Sequence, residues 1–297
     1  MNKPLFPERI NIEPTNFCNQ ECLFCPRDEM ERSQGNMKIG LFRKIIDDCN
    51  GHEVKIWMQF MGEPFLNPAL IDMIKYAKQT VMQVGLSTNA AYLNANNISR
   101  LLDSPLDRLE LSIDALDRDY FLRMRGVDEF DKTKANMVNF FRIKKERNNI
   151  KPVTSLQFMR TEENLRDSAM IIDFWKPHLT GDDFIMMIDE LPFLGQKLQN
   201  KLDEQACNAR PPCDWLWKYM VILWNGDVAL CASDYDGTEI LGNVNSDSLL
   251  DIWNGKKINA LRAHHTGGRF DKINNCSSCQ VWKSPGKYTN ILAEQHA

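Results

Sequence analysis

The stretch Cys18-Asn19-Gln20-Glu21-Cys22-Leu23-Phe24-Cys25 places three thiols within eight residues, spaced C-x3-C-x2-C, just after the short apolar run Ile10 to Ile12. Thiolates this close in sequence converge on one metal centre only if the loop wraps it. Three is the informative count. Structural zinc closes its shell with four ligands, and an ordinary iron–sulfur cubane takes four cysteines. A three-cysteine loop leaves one iron of a [4Fe–4S] cluster without a protein ligand, and an open iron is a place for a small molecule to bind and react. From the spacing alone, a zinc site completed by a distant ligand and three unrelated thiols remain open.

The flanking residues extend the pattern. Phe24 precedes the last cysteine, Ile12-Glu13-Pro14-Thr15-Asn16 leads in and Pro26-Arg27 follows. With these, the stretch resembles the signature loop of the radical SAM superfamily. The resemblance implies that Cys18, Cys22 and Cys25 hold a [4Fe–4S] cluster and that S-adenosylmethionine chelates its fourth iron, with Phe24 at the cofactor. One electron then yields a 5′-deoxyadenosyl radical, which takes a hydrogen atom from substrate. A flavodoxin- or ferredoxin-type electron donor is implied as well. The protein's part is binding, orientation and protection.

The 297 residues suffice for one large domain or a large and a small one. A net charge of -4 gives no field for nucleic acid, and no apolar run approaches a membrane span. Met1 to Pro7 lacks a signal-peptide core. Nine cysteines without signs of export read as metal ligands in a reduced cytoplasm.

Taken in order, the chain alternates strand and helix patterns. Strands are expected at Arg9 to Glu13, Val54 to Phe60, Met82 to Ser87, Arg108 to Ile113, Val153 to Met159 and Asp183 to Ile188. Helices are expected at Lys38 to Cys49, Pro68 to Lys78, Asn94 to Leu102, Asp131 to Arg147 and Glu163 to Trp175, with Cys49 packing as a small hydrophobe. Six alternations predict an α/β fold, a partial (β/α)6 TIM-like barrel, which is also the radical SAM fold. The cysteine loop falls at the C-terminal end of the first strand, where such barrels place their chemistry.

Further strand ends resemble the same family. Met61-Gly62-Glu63-Pro64 resembles its Gly-Gly-Glu motif, which places Gly62 and Glu63 at the amino group of S-adenosylmethionine. Ser87-Thr88-Asn89 resembles its third strand end, making Ser87 and Asn89 cofactor contacts. Ser112 and Asp114 share one face of the fourth strand and would reach the ribose or carboxylate of the cofactor. Arg123 or Arg125, in Tyr120 to Gly126, could clamp the methionine carboxylate; a solvated helix face is the other reading of both.

Beyond residue 212 the pattern changes. Cys213 precedes an aromatic, strand-rich run from Trp215 to Trp224, the turn Asn225-Gly226-Asp227 and a strand from Val228 to Cys231. Leu241-Gly242-Asn243-Val244, Ser248 to Trp253, a helix and Cys276-x2-Cys279 follow. This ordered set resembles the SPASM/twitch domains of radical SAM enzymes, in the short version with one auxiliary [4Fe–4S] cluster held by Cys213, Cys231, Cys276 and Cys279. A zinc knuckle is the competing reading of two cysteine pairs. The expected organisation is a core barrel at 1–190, a linker or active-site loop at 191–212, a small α+β cysteine-rich domain at 213–282 and a tail at 283–297.

Hydrogen abstraction leaves several outcomes. A closed auxiliary cluster that accepts an electron favours oxidation of an alcohol to a ketone on a carbohydrate- or aminocyclitol-like molecule. Arg160, Asp189 and Glu190 are placed at strand ends where a base could reach the radical. A redox-neutral epimerase would use Cys207 as hydrogen-atom donor. A ribosomal peptide substrate, epimerised or crosslinked, is less expected because the first strand starts near Arg9, leaving no room for a leader-binding domain. A plain iron–sulfur electron carrier would have no use for the cofactor-like strand ends.

Overall fold

A computed structural model of the chain describes residues 5–188, 210–279, 281–283 and 288–292. Its framework is six parallel strands in sequential order: β1 (Arg9–Ile12), β2 (Lys55–Met58), β3 (Gln83–Thr88), β4 (Arg108–Ser112), β5 (Val153–Met159) and β6 (Phe184–Ile188). The connections carry α1 (Ile39–Asp47), α2 (Leu70–Ala77), α3 (Ala95–Leu102), α4 (Arg118–Arg125), α5 (Phe130–Glu146), α6 (Glu162–Arg166) and α7 (Ser168–Trp175). Strand periodicity decides the faces. Ile10, Ile56, Val84, Leu86, Leu109, Leu156 and Ile185 are wholly buried and belong to the core with the apolar sides of the helices. Their neighbours on the other face, Trp57, Ser87, Glu110, Ser112 and Gln157, stay partly exposed.

Three local readings of the sequence change. The helix expected at Glu163 to Trp175 is two helices meeting at Asp167; Thr161 caps the first by accepting the Asn164 N–H. Residues 118–125 form a helix that the strand–helix count passed over, closed by Gly126 at φ 71°. The aromatic run after Cys213 opens with the helical turn α8 (Trp215–Lys218) before any strand.

The larger difference lies in the sheet. After β7 (Tyr219–Ile222), β8 (Asp227–Ala229) and β9 (Ile240–Asn243), the chain adds α9 (Leu249–Asn254), α10 (Lys256–Thr266) and α11 (Asn274–Ser277), and β10 (Tyr288–Asn290) comes last. β7 pairs in parallel with β1, and β8 and β9 continue antiparallel from it. β10, in the tail for which sequence patterns supported no expectation, lies antiparallel on β6. Among the described residues the result is one open sheet of ten strands, β10-β6-β5-β4-β3-β2-β1-β7-β8-β9. The cysteine-rich segment therefore grows from the barrel's first edge and shares its sheet.

At the outer layer, Lys144 is fully buried, and its Nζ donates to Asp183 Oδ1 at 2.5 Å; the same oxygen accepts the Thr154 N–H at 2.7 Å. Removing one partner leaves an uncompensated buried charge. Lys144→Met is expected to lower stability by about 3–5 kcal/mol in urea unfolding, and Lys144→Met/Asp183→Asn to recover part of it. No loss in the single variant would show that the pair does not stabilise the α5–β6 junction.

Candidate functional site

The cysteine loop leaves the C-terminal end of β1 and is held from three sides. Glu13, fully buried, accepts both Arg32 Nη groups at 2.7 and 2.5 Å. It also accepts the Trp224 N–H at 3.1 Å and the Met61 N–H at 3.4 Å. On the second side, Asn16 Nδ2 donates to Ser33 O, and its Oδ1 accepts the Gly35 N–H, which closes the loop's exit back on its entry. On the third, Glu21 N and Leu23 N donate to Arg125 O and Met124 O at the end of α4, each at 3.0 Å. Gly126 is required there: a Cβ would lie 2.4 Å from Glu21 O.

Burial pushes the Cys18 thiol up to about 12 and Cys25 up to about 11, and a charge on Cys22 would raise both further. Burial raises Cys22 as well, against the nearby Arg125. Three desolvated thiols on one loop become thiolates only with a strong counter-charge, which iron supplies. Beside them, Gln20 Nε2 and Arg125 Nε are buried without a hydrogen-bond partner among the described residues. Orphaned donors facing a thiol loop fit an anionic cluster and an amino-acid ligand.

The second and third strand ends close on this loop. A Cβ on Gly62 would fall 2.2 Å from Thr15 O and 2.7 Å from Phe17 O, and Glu63 N donates to Phe17 O at 2.8 Å. Glu63 is buried, which raises its pKa. Its oxygens accept the Phe65 N–H, the Thr88 hydroxyl and the Asn89 N–H at 3.0, 2.7 and 2.8 Å. Its carboxylate thus binds the β2 and β3 ends together. Asn89 Nδ2 donates to Asn19 Oδ1 at 2.9 Å and lies 4.0 Å from Cys18 Sγ.

The fourth strand end supplies an ion pair. Asp114 is fully buried in the left-handed region at φ 59°. Its Oδ1 accepts the Met159 N–H at 2.7 Å, and its Oδ2 lies 2.5 Å from Arg125 Nη2. Burial raises the Asp114 carboxyl, against the Arg125 charge. Arg125 Nη1 reaches Gln20 Oε1 at 3.3 Å and Cys22 Sγ at 3.6 Å, and its guanidinium lies over the Phe24 ring at 5.5 Å. Arg123 points elsewhere: it is 60% exposed on α4 and 3.6 Å from Glu163. The structure therefore separates the two arginines, with Arg125 at the loop and Arg123 on the outer surface. Ser87 turns into the barrel, where its hydroxyl donates to Glu110 Oε2 at 2.6 Å. Ser112 is half-buried on that same inner face. Arg160 follows β5, its N–H donating to Ile188 O at 2.7 Å; Asp189, Glu190 and Cys207 lie outside the described residues.

The second thiol set also gathers. Burial raises Cys231, and charges on Cys213, Cys276 and Cys279 would raise it further, which puts all three within electrostatic reach of it; Cys279 likewise acts on Cys213 and Cys276. Burial takes Cys276 up to about 12. His265, buried and held down to about 4 by burial, is neutral at pH 7, and its Nδ1 accepts the Cys213 N–H at 3.2 Å. Arg210 Nη1 donates to Cys276 O at 2.6 Å. Asp234 shapes the loop after Cys231 by accepting the Leu230, Thr238 and Glu239 N–H groups. Among the described residues no three His, Cys, Asp or Glu side chains close around a single metal ion; a cubane spreads its thiolates over separate corners. The segments that follow Cys25 and Cys231 are hydrogen-bonded to each other. Asp236 Oδ1 accepts the Glu31 and Arg32 N–H groups at 2.8 and 2.9 Å, and Arg32 Nε donates to Tyr235 O at 2.8 Å. Sequence reading passed over Asn19, Gln20, Arg32, Asp234 and Asp236, because their partners lie far along the chain.

Two outcomes follow from this geometry. After anaerobic reconstitution the chain should carry about eight irons, falling to about four in Cys276→Ala/Cys279→Ala; equal iron in both would remove the auxiliary cluster. Gly62→Ala should displace the Thr15–Phe17 backbone and lower iron at the first loop to a minor fraction, read by iron analysis in the Cys276→Ala/Cys279→Ala background.

Comparison with known proteins agrees with the site. The profile described as "Radical SAM superfamily" matches residues 12–174, more than half of the chain, and "Iron-sulfur cluster-binding domain" matches residues 213–280. A tungsten-containing aldehyde ferredoxin oxidoreductase cofactor-modifying protein of Pyrococcus furiosus is 22% identical over 310 residues, covering 90% of this chain and 86% of that protein. A probable GTP 3′,8-cyclase of Metallosphaera sedula is 30% identical over 173 residues, 56% of this chain and 51% of that one, so the chain spans about half of the cyclase. Among solved structures, BtrN in complex with AdoMet and 2-DOIA matches at TM-score 0.60 and 17% identity, with 94% of each chain covered. Histidine-tagged anSMEcpe with bound AdoMet matches at TM-score 0.64 and 15% identity, covering 92% of this chain and 86% of that one. Streptococcus suis SuiB bound to precursor peptide SuiA matches at TM-score 0.59 and 18% identity, covering 88% of this chain and 68% of that one. The radical SAM domain brings S-adenosylmethionine and a [4Fe–4S] cluster, and the second domain brings further iron–sulfur chemistry. The chain belongs to the radical SAM superfamily.

Proposed function

We propose that this enzyme oxidises an alcohol to a ketone on a carbohydrate- or aminocyclitol-like small molecule. The observation that carries the reading is the set of four neighbouring thiols, Cys213, Cys231, Cys276 and Cys279, on a segment whose Tyr235 and Asp236 hydrogen-bond to Arg32 beyond the first cysteine loop. Four thiolates close a cubane, so an auxiliary cluster there is suited to accept an electron rather than to hold substrate. When bound, the first cluster and S-adenosylmethionine supply a hydrogen-abstracting radical, and the auxiliary cluster an electron acceptor.

The chain's own residues then orient and protect. Arg125, held by Asp114 and stacked on Phe24, offers its guanidinium to a carboxylate beside Cys22. Gly62 and Glu63 fix the turn against the cysteine loop, and the backbone carbonyls of that turn would hold the ammonium group of S-adenosylmethionine. Asn89 and Ser112 border the space between this loop and the barrel interior. A flavodoxin- or ferredoxin-type protein would supply the first electron. The small-molecule class is supported by the match to BtrN, whose solved complex contains 2-DOIA along with AdoMet.

With a strong reductant, the reconstituted enzyme should form 5′-deoxyadenosine and, with a panel of sugars and cyclitols, one ketone per 5′-deoxyadenosine. Cys276→Ala/Cys279→Ala should still release 5′-deoxyadenosine but make at least tenfold less ketone. An epimer in place of ketone, lost in Cys207→Ala, would replace oxidation by the redox-neutral route. Turnover of a peptide instead would remove the small-molecule class, and no 5′-deoxyadenosine at all would leave an electron carrier.

A further inference from the structure

Barrels whose interior is filled by layers of branched apolar side chains have no room there for a ligand. This interior is different. On β2, β3 and β4 the outward residues Ile56, Leu86 and Leu109 are wholly buried, whereas the inward residues Trp57, Ser87 and Glu110 remain partly exposed. These three form a chain. Trp57 Nε1 donates to Ser87 Oγ at 2.9 Å, and Ser87 Oγ donates to Glu110 Oε2 at 2.6 Å. Among the described residues nothing donates to Glu110 Oε1. Burial raises the Glu110 carboxyl, with the Ser87 hydrogen bond and the Arg9 charge opposing.

The first strand faces this chain with open valences. Arg9 Nε and Asn11 Oδ1 are buried without a hydrogen-bond partner among the described residues, and Asn11 is only 3% exposed. The Arg9 guanidinium lies 4.8 Å from the Tyr219 ring and 5.9 Å from the Trp57 ring. The indole is pressed flat on β3: a Cβ on Gly85 would fall 2.4 Å from it. One donor, two acceptors and an aromatic plate thus meet on one inner face.

Buried groups left unpaired are costly, and Arg9 Nε and Asn11 Oδ1 are shut off from solvent on the same strand face as the partly exposed Trp57, Ser87 and Glu110, so a complementary ligand at this face would relieve that cost. The charges narrow its class. An anionic ligand would meet Glu110, and a cationic one would meet Arg9. Hydroxyl groups donate and accept at once, and the C–H face of a saturated ring packs on an indole without a charge penalty.

We propose that the inner face formed by Arg9, Asn11, Trp57, Ser87 and Glu110 binds a neutral polyhydroxylated ring. Glu110 Oε1 accepts one of its hydroxyls, and Trp57 stacks on its C–H face. The site deepens the functional reading above and rests on it only for the ring being the substrate. It places the ring inside the barrel, below the strand ends that carry the cysteine loop, Asp114 and Arg125.

The experiment is calorimetric titration of the reconstituted, S-adenosylmethionine-loaded enzyme with myo-inositol, scyllo-inositol, glucose and the dicationic streptamine, with no reductant present. The expected result is saturable binding of at least one neutral ring, weaker binding of streptamine, and a tenfold or greater loss of affinity in Glu110→Gln. Trp57→Phe, which removes the indole N–H and part of the plate, should lose several-fold, and the surface control Asp173→Asn should bind as wild type. No saturable binding of any neutral ring, stronger binding of streptamine, or unchanged affinity in both Glu110→Gln and Trp57→Phe would each overturn the assignment. Because turnover is not needed, the two readings fail separately. Binding as expected with no ketone on adding reductant removes the oxidation and keeps the site. Ketone formation with binding indifferent to Glu110 and Trp57 does the reverse.

Discussion

The architecture depends on one buried carboxylate. Glu13 follows β1 directly, is shut off from solvent, and accepts hydrogen bonds from Arg32, Met61 and Trp224. Those three residues belong to the exit of the cysteine loop, the end of β2 and the end of β7. A buried carboxylate without partners would be several kcal/mol unfavourable, so all three segments are fixed wherever Glu13 is. Trp224 then covers Gly35, where a Cβ would lie 2.5 Å from the indole. The result is that the loop carrying three thiols and the hairpin carrying Cys231 share one polar junction.

That junction explains why the cysteine-rich segment is not an appended module. β7 takes the place beside β1 that an isolated barrel would leave as an unpaired edge. Edge pairing satisfies backbone groups of both segments and sets the second thiol group beside the β1 side of the barrel. The opposite edge is covered by β10 on β6. With both edges of the parallel portion paired, the sheet stays open as a curved wall, and its inner face can remain polar and accessible instead of packed.

Local rules carried the sequence reading a long way. Short apolar or alternating runs marked all six parallel strands, because each buries one face under a helix. The short C-x3-C-x2-C spacing and the later Cys276-x2-Cys279 pair marked thiols that local loops bring together. What escaped were features whose partners are remote in sequence. Gln20 and Asn19 looked like ordinary loop residues, yet Gln20 meets Arg125 and Asn19 meets Asn89. Glu63 and Ser87 were read as cofactor contacts, and in the fold their side chains engage Thr88, Asn89 and Glu110. β10 was invisible because a three-residue edge strand is held by backbone hydrogen bonds that carry no side-chain signature.

By itself the sequence determined the repeating strand–helix order and the clustered thiols, since these rest on periodicity and short spacing, while the radical chemistry came from the resemblance of its motifs to the radical SAM superfamily. Tertiary structure decided which of two neighbouring arginines faces the thiols: Arg125 is drawn in by buried Asp114, while Arg123, two residues away on the helix, turns to solvent. It also decided that both cysteine groups share one sheet, and that Arg9, Trp57, Ser87 and Glu110 meet inside the barrel. The physical reason is the same in each case. Burial makes unpaired charge and unpaired hydrogen bonds costly, and only the folded chain brings together the partners that relieve that cost.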